Sequence, residues 1–151
     1  MEFKELMDAF AADAGMSEPV AYEENACHLS INGRDFGFHD VPEAGRMVIW
    51  CPLCARPPES GEAFLVQLLR ANFMNQGLPD GALSLSDDDI VCAHCTLQLP
   101  VFDKEDFYQL LRRFVTAVDG WCEMLEYAER ARELIPQVRT ETPDGDDLLR
   151  V

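Results

Sequence analysis

The pattern of apolar and polar positions divides the chain into alternating helical and extended segments. Over residues 3–15, apolar side chains recur every three or four positions with charged residues between them, which predicts an amphipathic helix. Over Cys27–Ile31 the period falls to two, which predicts a half-buried strand. Asn32-Gly33 then forms a strong hairpin signal, because both residue types tolerate positive φ angles. The return strand passes through Phe36–Phe38, so the pattern indicates antiparallel pairing.

The middle of the chain continues this alternation with a third strand, a second helix and two further strands. The nearly apolar segment Met47–Cys51 predicts a strand that completes a meander. Ser60 is a candidate cap for a helix that extends to about Asn75. A fourth strand is predicted at Leu83–Leu85, where leucines alternate with serine, and a fifth at Ile90–Leu99.

The longest apolar repeat belongs to the C-terminal segment. Apolar residues from Phe107 to Leu125 keep helical spacing, which predicts a helix that begins after Asp103 and ends near Ile135, before a proline. The order α-β-β-β-α-β-β-α predicts an α+β fold with a twisted antiparallel sheet flanked by helices. We expect residues 1–138 to form one domain and residues 139–151 to be a disordered acidic tail.

The strong negative charge of the chain narrows the choice of partners. Twenty-eight acidic residues against 12 Lys and Arg give a net charge of −16, which disfavours nucleic acid and anionic membranes as partners.

The sequence shows no secretory signal, and no apolar run approaches the roughly 20 residues that a membrane span requires. We therefore expect a cytoplasmic protein without membrane insertion, whose cysteines are reduced, metal-bound or catalytic and do not form a disulfide framework.

Two Cys-x-x-Cys pairs raise the possibility of a metal site. Four thiolates at tetrahedral positions satisfy Zn²⁺, so a small zinc-stabilised binding domain held by Cys51, Cys54, Cys92 and Cys95 is an alternative function. In a continuous fifth strand, however, Cys92 and Cys95 point to opposite faces, with Cys95 in the core. A redox dithiol is a third possibility, although neither pair directly precedes a predicted helix.

The sequence carries none of the common catalytic motifs. It contains no HExxH, P-loop, GxGxxG or GxSxG motif. His28 and His39 lie on the polar faces of predicted strands, which favours a surface position for both. We therefore predict no catalytic residues, and no cofactor apart from the zinc of the alternative.

Residues 68–100 carry a more specific combination of features. In order, they contain Leu68, Leu69 and Asn72 at a helix end, a loop from Gly77 to Gly81, a short strand at Leu83–Leu85, an acidic turn at Asp87–Asp89, and Leu99-Pro100 before the last helix. With the N-terminal amphipathic helix, this arrangement resembles the class I chaperones of type III secretion, the Tir-chaperone or CesT-like family. The resemblance spans roughly residues 3–130.

The resemblance implies a homodimeric chaperone that binds an extended N-terminal segment of a secreted effector before export, without nucleotide. It also implies that the second helix and the following strand form much of the dimer contact, where two copies bury the same surface. The predicted interface comprises Leu65, Leu68, Leu69, Phe73, Leu83 and Leu85. For each of these side chains, packing into the chain's own core is the competing interpretation. The effector would add a strand to a sheet edge or place a helix in an apolar groove, and the sequence does not identify the edge.

Overall fold

The structure is a computed structural model that describes residues 1–57, 61–78 and 80–139, with side chains described as far as residue 130. Its helices and strands, in chain order, are α1 (Phe3–Asp13), β1 (Tyr22–Glu23), β2 (Ala26–Ile31), β3 (Arg34–Val41), β4 (Arg46–Ala55), α2 (Gly61–Ala71), β5 (Gly81–Leu85), β6 (Ile90–Gln98) and α3 (Lys104–Arg139). The predicted cap at Ser60 and, beyond Arg139, the predicted tail lie outside the described residues.

The strands described form one antiparallel sheet in the order β1-β2-β3-β4-β6-β5. Strands β2, β3 and β4 are consecutive neighbours, whereas β6 inserts between β4 and β5. At the β2–β3 turn, Asn32 and Gly33 both have positive φ angles, of 53° and 75°, as the hairpin signal predicted. The predicted α+β class with an antiparallel sheet is therefore confirmed.

Aromatic side chains join α1 and α3 to one face of the sheet. Phe38 of β3 and Phe10 of α1 both meet Phe107 of α3, with ring centroids 6.5 and 5.7 Å apart. Phe36 of β3 meets Phe114, which lies about two turns further along α3, with ring centroids 6.0 Å apart. Full burial of a side chain of this size contributes about 2 kcal/mol to stability. This aromatic cluster fixes α1 and α3 side by side on the sheet.

The opposite face of the sheet is organised around Trp50. Its indole lies across Gly37 of the neighbouring strand, where any Cβ atom would overlap the ring. The His28 ring meets the same indole edge-on, with centroids 5.6 Å apart. His28 and His39 are exposed on this face, in agreement with the sequence pattern.

Several elements differ from those the sequence predicted. α2 ends at Ala71 and not near Asn75, because the left-handed backbone of Met74 and Asn75 cannot continue an α-helix.

Two strands and the last helix differ as well. The two-residue strand β1 was not predicted, because alternation cannot be detected over Tyr22–Glu23. β4 continues to Ala55 instead of ending at Cys51, because a β-bulge between Pro52 and Cys54 accommodates the proline. α3 continues through Pro136, whose fixed φ suits a helix although its missing N–H removes one hydrogen bond. No helix in the described ranges is both long enough and apolar enough to cross a membrane.

Candidate partner-binding surfaces

A ridge of exposed apolar side chains follows the C-terminal end of α2. It consists of Leu69, Phe73 and Met74, which are 70%, 65% and 78% exposed, and we call it the α2 ridge. Isolated apolar residues are common on protein surfaces, but three such exposed side chains within six consecutive residues form a candidate surface for contact with another molecule.

The turn that follows α2 holds this ridge in place. Gly77 donates its backbone N–H to the carbonyl of Ala71 at 2.8 Å, and the Trp121 indole of α3 donates to the carbonyl of Gly77. Met74 and Asn75 both adopt positive φ angles, 53° and 55°. Left-handed backbone costs a non-glycine residue on the order of 1 kcal/mol, so this conformation is maintained by the surrounding contacts.

The six side chains predicted to form a dimer interface divide into two groups. Leu68 and Leu83 are buried in the chain's own core, and Leu65 and Leu85 are half-buried. Leu69 and Phe73 are exposed. The sequence could not distinguish the buried side chains from the exposed ones, because the spacing of apolar residues does not show which part of the α2 surface other elements cover.

A groove of about 490 Å³ lies between α1, the β2–β3 turn and α3, and we call it the α1–α3 groove. Its apolar lining comes from residues of three separate segments: Phe10, Ile31, Tyr108, Leu111 and Val115. The size is typical of a pocket that encloses a small ligand or a few side chains of a peptide.

One end of the α1–α3 groove carries a polar network centred on Asp13. The Asp13 carboxylate accepts hydrogen bonds from Lys104 Nζ at 2.6 Å and from the Tyr108 hydroxyl at 2.8 Å. The Lys104 hydrogen bond is the main reason that the pKa of Asp13 lies below its usual value. Desolvation, followed by the hydrogen bond to Asp13, raises the pKa of Tyr108 to about 12, so its hydroxyl stays a donor at neutral pH.

The sheet edge beside this groove is largely free. β1 pairs only with Ala26 and Cys27 of β2, so in the described part of the chain β2 has no outer strand partner from His28 to Ile31. Ile31, at the end of this stretch, lines the α1–α3 groove. A free backbone edge and an apolar groove therefore meet at one residue.

The opposite sheet edge, formed by β5, has a different chemistry. The Asn72 side-chain amide donates to the carbonyl of Leu83 and accepts from the Leu83 N–H, both at 2.8 Å.

A second groove, of about 550 Å³, lies between α2 and α3 and is lined by Phe64, Trp121 and Met124 among others.

The structure does not bring the four cysteines of the zinc alternative together. Cys51 and Cys95 are buried in the core, whereas Cys92 lies on the opposite face of the sheet, as the alternation predicted. The β-bulge turns Cys54 towards Cys122 of α3, and both line one small pocket of about 70 Å³. Among the described residues, no three His, Cys, Asp or Glu side chains are arranged to hold a metal ion.

The electrostatics of the thiols also differ from those of a redox dithiol. Burial raises the pKa of Cys51 and of Cys95 to about 12, and it raises the pKa of Cys54 and Cys92 as well. A reactive Cys-x-x-Cys pair requires a thiol whose pKa is lowered by nearby positive charge or a helix N-terminus. Both pairs have the opposite shift.

Comparison with known proteins yields one family and a group of similar folds. The model of the Tir chaperone protein (CesT) family matches residues 5–122, well over half of the chain. No curated protein matches the sequence.

Among solved structures, the ExsC–ExsE complex is similar with a TM-score of 0.68 and 16% identity, covering 83% of this chain and 97% of that chain. The Yersinia pestis type III secretion chaperone SycH, in complex with a stable fragment of YscM2, has a TM-score of 0.59 and 17% identity, covering 78% and 97%. YbjN from E. coli, a candidate transcription regulator, has a TM-score of 0.57 and 16% identity, covering 82% and 92%. At these identities the likeness establishes the fold.

Proposed function

The chain belongs to the Tir chaperone protein (CesT) family, and we propose that it is a cytoplasmic chaperone for a type III secretion effector. It binds an extended N-terminal segment of the effector and keeps that segment competent for export, with no cofactor and no catalysis. The observation that carries this proposal is the meeting of the free β2 edge and the α1–α3 groove at Ile31. The similar SycH structure also contains a bound protein fragment.

The free edge and the groove supply complementary parts of such a site. An extended segment that pairs with β2 from His28 onward gains backbone hydrogen bonds, which do not depend on its sequence. The apolar side chains of the segment then reach the lining of the α1–α3 groove. There, Leu111 and Val115 limit the shape of the side chains that can fit. Such division of roles suits a chaperone, because the backbone supplies affinity and a few pockets supply specificity.

The charge of the chain favours a basic or neutral segment. A net charge of −16 produces a negative potential that accelerates encounters with cationic segments and repels acidic ones. Arg112, at the groove wall, is paired with Glu105 at 3.4 Å, so its charge is partly compensated.

We also propose that the chaperone is a homodimer in which the α2 ridge forms the centre of the contact. The ridge carries no charged side chain, so two copies of a strongly acidic chain can approach there without bringing carboxylates together. Leu65 and Leu85 would lie at the margin of this interface, whereas Leu68 and Leu83 would support it from within each chain.

The substitution Ile31→Glu tests the proposed binding site. Synthetic N-terminal segments of type III secretion effectors would be titrated against the chaperone by fluorescence anisotropy, and the tightest binder kept. Ile31→Glu should weaken its binding at least about tenfold, because a carboxylate would be buried without a partner.

The control for this experiment is Met124→Glu, which places the same charge in the groove between α2 and α3. The control should bind the segment like the unsubstituted chain. If no segment binds, the proposed function is wrong. If Met124→Glu abolishes binding and Ile31→Glu does not, the site has been placed on the wrong side of α3.

A further inference from the structure

The β5 edge of the sheet should be open to another strand, yet the outward backbone groups of its central residue are already bonded. A terminal strand presents unpaired N–H and C=O groups that act as a template for pairing with another chain. Leu83, at the centre of β5, lies opposite Ala93 of β6. Its N–H and its C=O are both bonded to Asn72.

The Asn72 amide offers Leu83 the same pair of groups that a residue of a neighbouring strand would offer. One oxygen accepts and one nitrogen donates, both at 2.8 Å, so the side chain imitates one residue of backbone. Gly81, two residues earlier and on the same side of β5, donates its N–H to the carbonyl of Leu78 at 3.1 Å. The N–H groups of two successive outward positions, and the carbonyl of Leu83, are therefore bonded within the chain.

The position of Asn72 is set by the elements around it. Asn72 immediately follows the last residue of α2, and its own N–H is bonded to the carbonyls of Leu68 and Leu69. The asparagine is half-buried and Leu83 is only 5% exposed, so water reaches these hydrogen bonds poorly. A competing strand would have to displace a fixed amide and separate α2 from β5.

We propose that Asn72 closes the β5 edge of the sheet, which leaves the edge formed by β1 and β2 as the place where a strand is added. The first part concerns this chain alone, and the second part rests on the proposed function. It follows that two copies that meet at the α2 ridge contact each other through side chains, and that their sheets do not join through β5.

Two substitutions open the edge while leaving the rest of the sheet in place. Asn72→Leu preserves the size of the side chain and removes both hydrogen bonds, and Asn72→Ala removes the side chain. Gln76→Ala is the matched control, because Gln76 is an exposed amide in the same turn. Exchange of the Leu83 amide with deuterium would be measured residue by residue by NMR, on the chain without partner.

In both Asn72 variants the Leu83 amide should exchange at least about tenfold faster, because one hydrogen bond contributes on the order of a factor of ten. The amide of Ile49 in the central strand β4 should keep its protection, which shows that the variants are folded. Sedimentation velocity at increasing concentration should reveal species larger than those of the unsubstituted chain.

Unchanged protection of Leu83 would overturn the proposal, as would equal acceleration in Gln76→Ala. Faster exchange without larger species would show that Asn72 stabilises the turn but does not prevent strand addition at β5, and the proposal would be wrong. Neither readout involves an effector segment, so these outcomes are independent of whether the proposed function holds.

Discussion

At the scale of single residues, the outer sheet face contains a close contact between Trp50 and Gly37. The indole occupies the space that a side chain of β3 would normally fill. A glycine inside a strand lowers strand stability, so its presence here is explained by this close approach.

The substitution Gly37→Ala should therefore lower the free energy of unfolding by about 2 kcal/mol, because the new methyl group overlaps the ring. Urea denaturation followed by Trp fluorescence measures this change. Gly120→Ala is the control: nothing lies within 4 Å of its Cβ position on α3, and it should raise stability by up to about 1 kcal/mol. Equal effects at both positions would contradict the packing argument.

Local signals in the sequence predicted several of these residue environments. The Asn32-Gly33 turn and the opposite faces of Cys92 and Cys95 depend only on backbone geometry over a few positions. The position of Cys54 in one pocket with Cys122 could not be predicted. It depends on a bulge in β4 and on a residue of α3 that lies 68 positions further along the chain.

At the scale of elements, the α2 ridge carries the proposed dimer contact. The double substitution Leu69→Glu with Phe73→Glu should convert dimers to monomers, since each change places a carboxylate in the centre of an apolar interface. Sedimentation equilibrium measures the result. Because both side chains are mostly exposed in one chain, the stability of the monomer should change by no more than about 0.5 kcal/mol.

The control for the ridge is Met16→Glu, which introduces the same charge at an exposed methionine after α1. It should leave the dimer intact. If the unsubstituted chain is monomeric, the proposed homodimer is wrong. If the double variant is still a dimer, the dimer contact lies elsewhere on the chain.

The elements themselves were largely predictable, and the exceptions have physical causes. Long repeats identified α1 and the start of α3, because many residues contribute to one period. The end of α3 was misplaced because a proline lowers helix stability without forbidding the helix. The α1–α3 groove was beyond prediction, because its walls come from three segments whose relative positions depend on packing of the whole core.

At the scale of the whole molecule, subunit number and metal content can be tested together. Native mass spectrometry of protein purified under reducing conditions should give the mass of two chains without zinc, and a chelator should not change it. The expected absence of zinc follows from the separation of Cys51 and Cys95 from Cys92 across the sheet, and the mass of two chains follows from the proposed contact at the α2 ridge. A single chain with one zinc ion, unfolding when the metal is removed, would instead support the four-cysteine alternative.

The insertion of β6 between β4 and β5 has a consequence for how the chain assembles during synthesis. The hairpins of β2, β3 and β4 pair with sequence neighbours, so they can form as soon as they leave the ribosome. β5 is the next strand to emerge, after α2, but it has no partner until β6 has followed, up to Gln98. Until then the nascent chain exposes one side of β4 and all of β5, and we expect this interval to be its most aggregation-prone stage. A member of a chaperone family thus passes through an aggregation-prone state of its own before its sheet is complete.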